Sequence, residues 1–477
     1  MREIYPALSL GERLSFDVSE YQGLHPDIFE LPGRGTFINN NPGASILGAL
    51  PYALARPGIA CVSNRIQAER ARSGAAPPRY DTGYENSRNF VQAAWQRGLD
   101  VKLVLAAGVM QAFLMAPLAA LAAVVMFFLL LSCGVPRRAS VFLTFLYAFA
   151  TPVFYRTAQL NHNVLIAHAA LFSFALLWRP WAPLGLRRPR YFPAGLLAGY
   201  CLVLDYSGLF VLAALSGYAL LVWRRQAPAQ RAASDLARYA AGATLAVAVL
   251  LAYQWHAFGN PLTPAQALMP ATAYSGIGVR GIGWPDPGLL WQTAFGLRFG
   301  LFTSAPLLLL ALYPPAWARE DLRLFGKPEA LLALGLTVAL FLFSAANQYG
   351  WLQFNSGVRY MVPVAPFLFL VAAGVLRRLP TWIAVLIGSL TAYWSWCLAM
   401  YRDVERGYGV LESIRSVTME GPRLPWVATL ERLGYLTPGT WTLPVLAFLA
   451  AMIAGVWLLP DLSLRRRGRS ASSARAL

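Results

Sequence analysis

Residues 108–133 read GVMQAFLMAPLAALAAVVMFFLLLSC, without one Asp, Glu, Lys or Arg. A helix that crosses the hydrocarbon core of a bilayer needs roughly 17–25 predominantly apolar residues, and this stretch meets that length. Outward from it, runs of the same kind recur at 139–157, 163–178, 237–256, 297–314, 329–346, 360–376, 381–401 and 441–459. A further apolar stretch, 192–223, is too long for one helix and too short for two full spans, and it carries Leu204-Asp205-Tyr206-Ser207-Gly208 at its middle. It predicts a hairpin of two short helices with both ends on one side. Composition agrees: the 477 residues are 57% hydrophobic and 13% charged, whereas soluble domains carry about 25% charged residues. Soluble, fibrous and disordered classes are excluded, and four cysteines spread over positions 61, 133, 201 and 397 make no disulfide scaffold. The expected fold is an all-α polytopic membrane protein of about nine full spans plus the short hairpin.

The net charge of +18 comes from 40 basic and 22 acidic residues, and only Lys102 and Lys327 are lysines. Such a balance in a soluble chain suggests nucleic acid; in a membrane chain it marks the cytoplasmic loops, and no nucleic-acid partner is expected. Arg137-Arg138, Arg187-Arg188, Arg224-Arg225, Arg319, Arg323, Lys327, Arg377-Arg378 and Arg465-Arg466-Arg467 all fall on one side when the spans alternate. The reading is a multi-pass protein of a bacterial inner (plasma) membrane, in contact with membrane lipids, its C-terminus cytoplasmic. The outer side receives 158–162, 257–296, 347–359, 402–440 and the N-terminal loop 1–102, leaving 103–460 as the transmembrane domain and 461–477 as a basic cytoplasmic tail. Met1-Arg2-Glu3-Ile4-Tyr5-Pro6 has no signal-peptide character, so a first helix is expected upstream of this sequence. Within the loop, 43–60 is apolar but holds Pro51, Arg56 and Pro57, which predicts a helix lying in the interface. Residues 62–80 read as a flexible polar insertion, and 84–99 as a second amphipathic helix.

No metal-ligand spacing, phosphate loop, dinucleotide fingerprint or nucleophile elbow is present. His162 and His168 are six apart and lie on different helix faces, so no metal site is expected from them. The informative polar residues gather on the outer side: Asp17, Glu20 and Asp27; Asn39-Asn40-Asn41-Pro42-Gly43; Asn161-His162-Asn163; His256 to Pro261; and Asn355-Ser356-Gly357-Val358-Arg359-Tyr360. Helix N-termini that face one aqueous rim favour an anionic ligand, with Arg359 and His162 as further donors. Each residue also has a plainer role open to it: a solvated carboxylate for Asp17, an N-cap for the asparagines and His162, an interfacial cation for Arg359. Asp205, ionisable within an apolar stretch, is a functional candidate by default, with a cap of the hairpin turn as the alternative.

The order of these motifs resembles the GT-C superfamily of polytopic glycosyltransferases, in particular family-39-like bacterial enzymes related to protein O-mannosyltransferases and the lipid A aminoarabinose transferase. Phe37-Ile38-Asn39-Asn40-Asn41-Pro42-Gly43 resembles the family's aromatic-Ser-Asp-Lys-Ala-Pro-Gly stretch, Thr151-Pro152-Val153-Phe154 with His162 its Thr-Pro-Leu-Phe…Gly-His segment, and Leu204-Asp205-Tyr206-Ser207 its charged hairpin tip. Phe258-Gly259-Asn260-Pro261, Gly300-Leu301-Phe302-Thr303-Ser304-Ala305-Pro306 and Gly357-Val358-Arg359-Tyr360 resemble its Phe-Gly-Ser-Pro, Gly-Leu-Phe-Phe-Tyr-Ser-Pro and Gly-Pro-Arg-Tyr segments. Two departures stand out: Asn39 and Asn40 replace the family's Asp-Lys pair, and the family's acidic motif belongs just ahead of the residues that Arg2 and Tyr5 match, where this sequence starts.

The resemblance implies an inverting glycosyltransferase on the non-cytoplasmic face, moving a sugar from a polyprenyl-phosphate donor to a glycan, lipid or protein acceptor. A carboxylate base deprotonates the acceptor, which attacks the anomeric carbon as the lipid phosphate leaves. Among the carboxylates present Asp17 is the candidate base, with Asp27 second; Arg359 and His162 would hold the donor phosphate, and Asp205, Asn39 and Asn40 would line the cavity. It requires no organic cofactor and leaves a divalent metal open. A lipid-linked sugar transporter and a catalytically inactive membrane protein of the same fold are the rivals; a transporter needs polar residues along a path through the bilayer midplane, and Asp205 alone meets that description here.

Overall fold

The computed structural model describes residues 2–78, 85–178, 188–226, 232–353, 359–400, 409–433 and 435–455. Among these, seven helices are long and apolar enough to cross a membrane: Gly43–Ser73, Asp100–Ser132, Gly208–Arg225, Ala233–Phe258, Lys327–Ala346, Arg359–Leu376 and Thr381–Met400. Shorter apolar helices run over His162–Trp178, Tyr191–Leu204 and Thr442–Gly455. The chain is an all-α polytopic membrane protein, with one exception in the N-terminal loop: Ile28–Leu31 and Gly35–Ile38 pair as an antiparallel β-hairpin. The basic tail 461–477 and residues 355–358 of the Arg359 motif lie outside the described residues.

Several expected spans are re-cut. The run 297–314 is no single helix; it breaks between Leu301–Ser304 and the 3₁₀ turn Pro306–Leu312. Pro306 supplies no N–H, and the residue before a proline is pushed away from helical geometry; Ala305 sits at φ −138°. The run 139–157 divides into Arg137–Phe149 and Pro152–Arg156 at another proline, with the Thr151 hydroxyl accepting from Val153 N–H. The helix expected at 43–60 continues through the polar segment after it to Ser73, and Pro51 and Pro57 do not end it. The amphipathic segment before the first span is helical at Glu85–Gln96. The hairpin forms as Tyr191–Leu204 and Gly208–Arg225, reversing at Asp205.

At the centre of the bundle stands the helix Ala365–Leu376, every residue of which is buried. Buried aromatic contacts surround it: Phe367 meets Phe174, and Phe369 meets Tyr147. A helix apolar on all sides has no polar face to give to water, so neighbours enclose it.

The hairpin is held by backbone proximity. Added Cβ atoms at Gly195 and Gly199 would lie 2.0 Å from Tyr239 O and 2.5 Å from Ala243 O, and one at Gly242 2.2 Å from Phe192 O. In lipid, where apolar side chains gain nothing by leaving their solvent, such small-residue seams are how helices associate. The hairpin tip is fixed from a second direction. Asn41 Nδ2 donates to Leu202 O at 2.9 Å, and the Tyr200 hydroxyl to Gly43 O at 2.9 Å. The start of the Gly43–Ser73 helix therefore abuts Asp205 and its neighbours. Gly195→Ala forces two backbones apart and should cost about 1–3 kcal/mol, read as a lowered melting temperature in detergent. Gly217→Ala, where nothing lies within 4 Å of the added carbon, should be neutral or stabilising by up to about 1 kcal/mol. Equal effects at the two positions would disprove the seam.

Candidate functional site

Three distant segments meet beside the hairpin tip. Glu3, just before the helix Ile4–Arg13, is buried at 8% exposure. Its Oε1 lies 2.6 Å from Nδ1 of His162, the first residue of the helix His162–Trp178. On the other side of the imidazole, Nε2 lies 3.7 Å from Asp205 Oδ2. Asp205 is itself held: its Oδ1 accepts from the Ser207 N–H at 2.9 Å and hydroxyl at 2.6 Å. The Glu3 carbonyl accepts from Ser45 Oγ at 2.8 Å, which ties the first residues to the Gly43–Ser73 helix. Burial works against the charge of Glu3, but the hydrogen bond and charge of His162, with Arg2 beside it, hold the carboxyl well below the ordinary carboxylate range.

A cleft of about 210 Å³ opens on this cluster. Arg2, Arg156 and Arg359 supply three cations to its wall, Glu3 and His162 one side, and His25, Gln159, Asn161, Asn163 and Gln353 neutral polar groups; Leu160 and Leu352 are its apolar residues. Arg359 comes from the start of the central helix, its backbone N–H pointing to Gln353 Oε1 and its guanidinium to the Tyr360 hydroxyl at 3.2 Å. His25 is fixed as an acceptor at Nδ1, which takes the Asp27 N–H at 3.0 Å. Burial, opposed by Asp27 and aided by Arg2, pushes its imidazole down to about 4. A neutral ring with one nitrogen accepting has its proton on the other, so Nε2 is a donor.

Among the residues expected to act together, His162 and Arg359 line the cleft, while Asp205, expected to line it too, stands behind His162 and outside the wall. Asp17 and Asp27 are outside the cleft wall. Asp17 accepts from the Ser19 and Thr36 backbone N–H groups at 2.9 and 3.0 Å and so closes a turn against the β-hairpin. Burial raises its carboxyl, but these bonds and nearby Arg13 together outweigh it and hold it below the ordinary range. Asp27 pairs with Arg2 Nε at 3.0 Å. Asn39 gives its carbonyl to Arg2, and Asn40 is buried at 5% exposure; neither lines the cleft. His168 lies inside its helix, stacked on Phe172 at 6.2 Å. Among the described residues no group of three or more His, Cys, Asp or Glu is placed to hold a metal ion. Glu3, Arg156 and His25 were not singled out from the sequence. The signal for Glu3 was local: an acidic residue beside Arg2, immediately before a helix.

No protein-family model, no curated protein and no solved structure matches this chain.

The lowered Glu3 carboxyl makes stability depend on pH in a defined direction. Its folded-state value lies below the unfolded one, so the pairing stabilises at neutral pH and is lost progressively as pH falls below about 4.3, the unfolded value. Glu3→Gln should cost about 1–3 kcal/mol at neutral pH and should flatten the acid limb of the melting-temperature profile. A variant whose acid limb matches the wild type would show that the Glu3 pairing does not contribute.

Proposed function

We propose that this protein is a membrane glycosyltransferase that takes a sugar from a polyprenyl-phosphate donor and transfers it to an acceptor on the non-cytoplasmic face of a bacterial inner membrane. The observation that carries this reading is the cleft in which a buried carboxylate, Glu3, stands among Arg2, Arg156 and Arg359. A phosphodiester needs cations and donors and an acceptor hydroxyl needs a base; here both are within one small polar cavity. The base is Glu3 in this reading rather than Asp17 or Asp27, whose carboxylates are engaged in a turn and with Arg2. The Glu3 Oε1 is committed to His162, and Oε2 is the oxygen left to accept the proton.

The reaction is a single displacement. The acceptor O–H gives its proton to Glu3 as its oxygen forms a bond to the anomeric carbon, and the bond from that carbon to the phosphate oxygen breaks. The electron pair leaves with the lipid phosphate, whose charge the arginines stabilise. His162 keeps Glu3 in place and shares its charge, and Asp205 holds the far side of the ring. A transporter requires polar groups along the midplane, and the charged residues of this cleft and its surroundings instead sit at segment ends: before Ile4, at His162, at the Asp205 turn behind it and at Arg359.

The test is transfer in membranes that hold the full chain, with mass spectrometry of lipid-linked sugars and envelope glycans. Glu3→Gln should slow transfer by about 10²–10⁴-fold, with accumulation of a polyprenyl-phosphate sugar. Arg359→Ala should weaken donor binding. Undiminished transfer by Glu3→Gln would remove Glu3 as base, and an unchanged lipid-linked sugar pool on deletion of the gene would remove the reading as a whole.

A further inference from the structure

The cleft contains a polar group that the reaction above does not use. Asn163 is fully buried at 0% exposure, in the cleft wall, and neither Oδ1 nor Nδ2 of its side chain has a hydrogen-bond partner among the described residues. Its backbone N–H is accounted for, since Asn161 Oδ1 accepts from it at 2.9 Å and from Val164 N–H at 3.3 Å. Asn161 thus caps the helix and takes up N–H groups that would otherwise face an anion. The amide of Asn163 is left with a donor and an acceptor side by side. Buried polar groups are nearly always paired, and leaving one unpaired costs free energy that a bound partner returns. A sugar hydroxyl, which both donates and accepts, is such a partner.

Charge narrows the ligand further. Each carboxylate near the cleft already faces a cation or donor: Asp27 has Arg2 at 3.0 Å, Glu3 has His162 at 2.6 Å, and Asp205 has Ser207 and, at 3.7 Å, His162. Arg2, Arg156 and Arg359 balance these three carboxylates. Among the described residues of the cleft wall Glu3 is the one carboxylate, and its second oxygen takes the acceptor's proton in the reaction above, so none is left to receive an ammonium group. We infer that Asn163 reads a hydroxyl of the donor's sugar, and that this sugar is uncharged rather than a cationic amino sugar. The inference rests on the glycosyltransferase reading of the same cleft and names its substrate class.

The experiment is equilibrium binding to the full chain in lipid nanodiscs, with three ligands: a polyprenyl phosphate, the same lipid carrying a neutral hexose or pentose, and the same lipid carrying an amino-deoxypentose. Wild type should bind at least one neutral glycosyl lipid about tenfold or more tightly than the bare phosphate, and should not favour the amino sugar. In Asn163→Ala the ratio of glycosyl to bare affinity should fall toward one. Asn163→Ser, which keeps a smaller donor and acceptor, should give an intermediate ratio and serves if the alanine variant binds neither lipid. Preference for the amino sugar, or a ratio unchanged in both variants, overturns the inference while leaving the glycosyltransferase reading intact. Failure of wild type to bind any of the three lipids removes that reading, and the inference with it.

Discussion

The contact on which the site depends is the 2.6 Å approach of the Glu3 carboxylate to His162. A charge taken out of water is tolerated only with a close partner and further hydrogen bonds. Glu3 finds its partner 159 residues away in sequence, so the N-terminal helix and the helix His162–Trp178 must be brought together before either charge is compensated. Removing one member of a buried pair leaves the other uncompensated. The imidazole extends the constraint to a third segment because its other nitrogen faces Asp205.

Asp205 reaches that position through packing of a different kind. One arm of the hairpin, Tyr191–Leu204, is short, and the glycines at 195, 199 and 242 let it lie directly on the backbone of Ala233–Phe258. The turn is equally tight: a Cβ at Gly208 would lie 1.9 Å from Cys201 O. Together with the bonds from Asn41 and Tyr200 to the neighbouring backbones, this fixes the height at which the carboxylate sits. The cleft is therefore built by short elements and breaks, while the long helices supply the wall against which they are fixed. The fully buried central helix plays that part for Arg359, which stands at its entrance.

Much of this was legible in the residues. The apolar runs announce a polytopic helical protein because a bilayer leaves few ways to satisfy backbone groups. The hairpin was visible in the length of 192–223 and in Asp205 at its middle. His162, Asp205 and Arg359 stood out as polar groups at the ends of apolar stretches, and they converge. The two carboxylates expected to serve as base do not join them. Asp17 and Asp27 look available in one dimension, but one closes a turn and the other is neutralised by Arg2. Glu3 was passed over because two residues ahead of a helix carry no periodicity from which burial can be read. The break in 297–314 was signalled by Pro306, and the seam by the spacing of Gly195 and Gly199. Both are local features whose weight depends on the neighbour that approaches.

The sequence by itself determined the class of environment, the existence of the spans and hairpin, and the set of polar residues from which a site could be made. These follow from hydrophobicity and helix period, which are properties of short windows. Only the tertiary structure decided which carboxylate is buried beside which cation, that Asn161 caps its helix while Asn163 keeps its amide unspent, and that three arginines from separate segments share one cavity. Those are contacts between residues far apart in the chain, and their energies depend on burial and on distances of a few ångströms, neither of which a window of sequence contains.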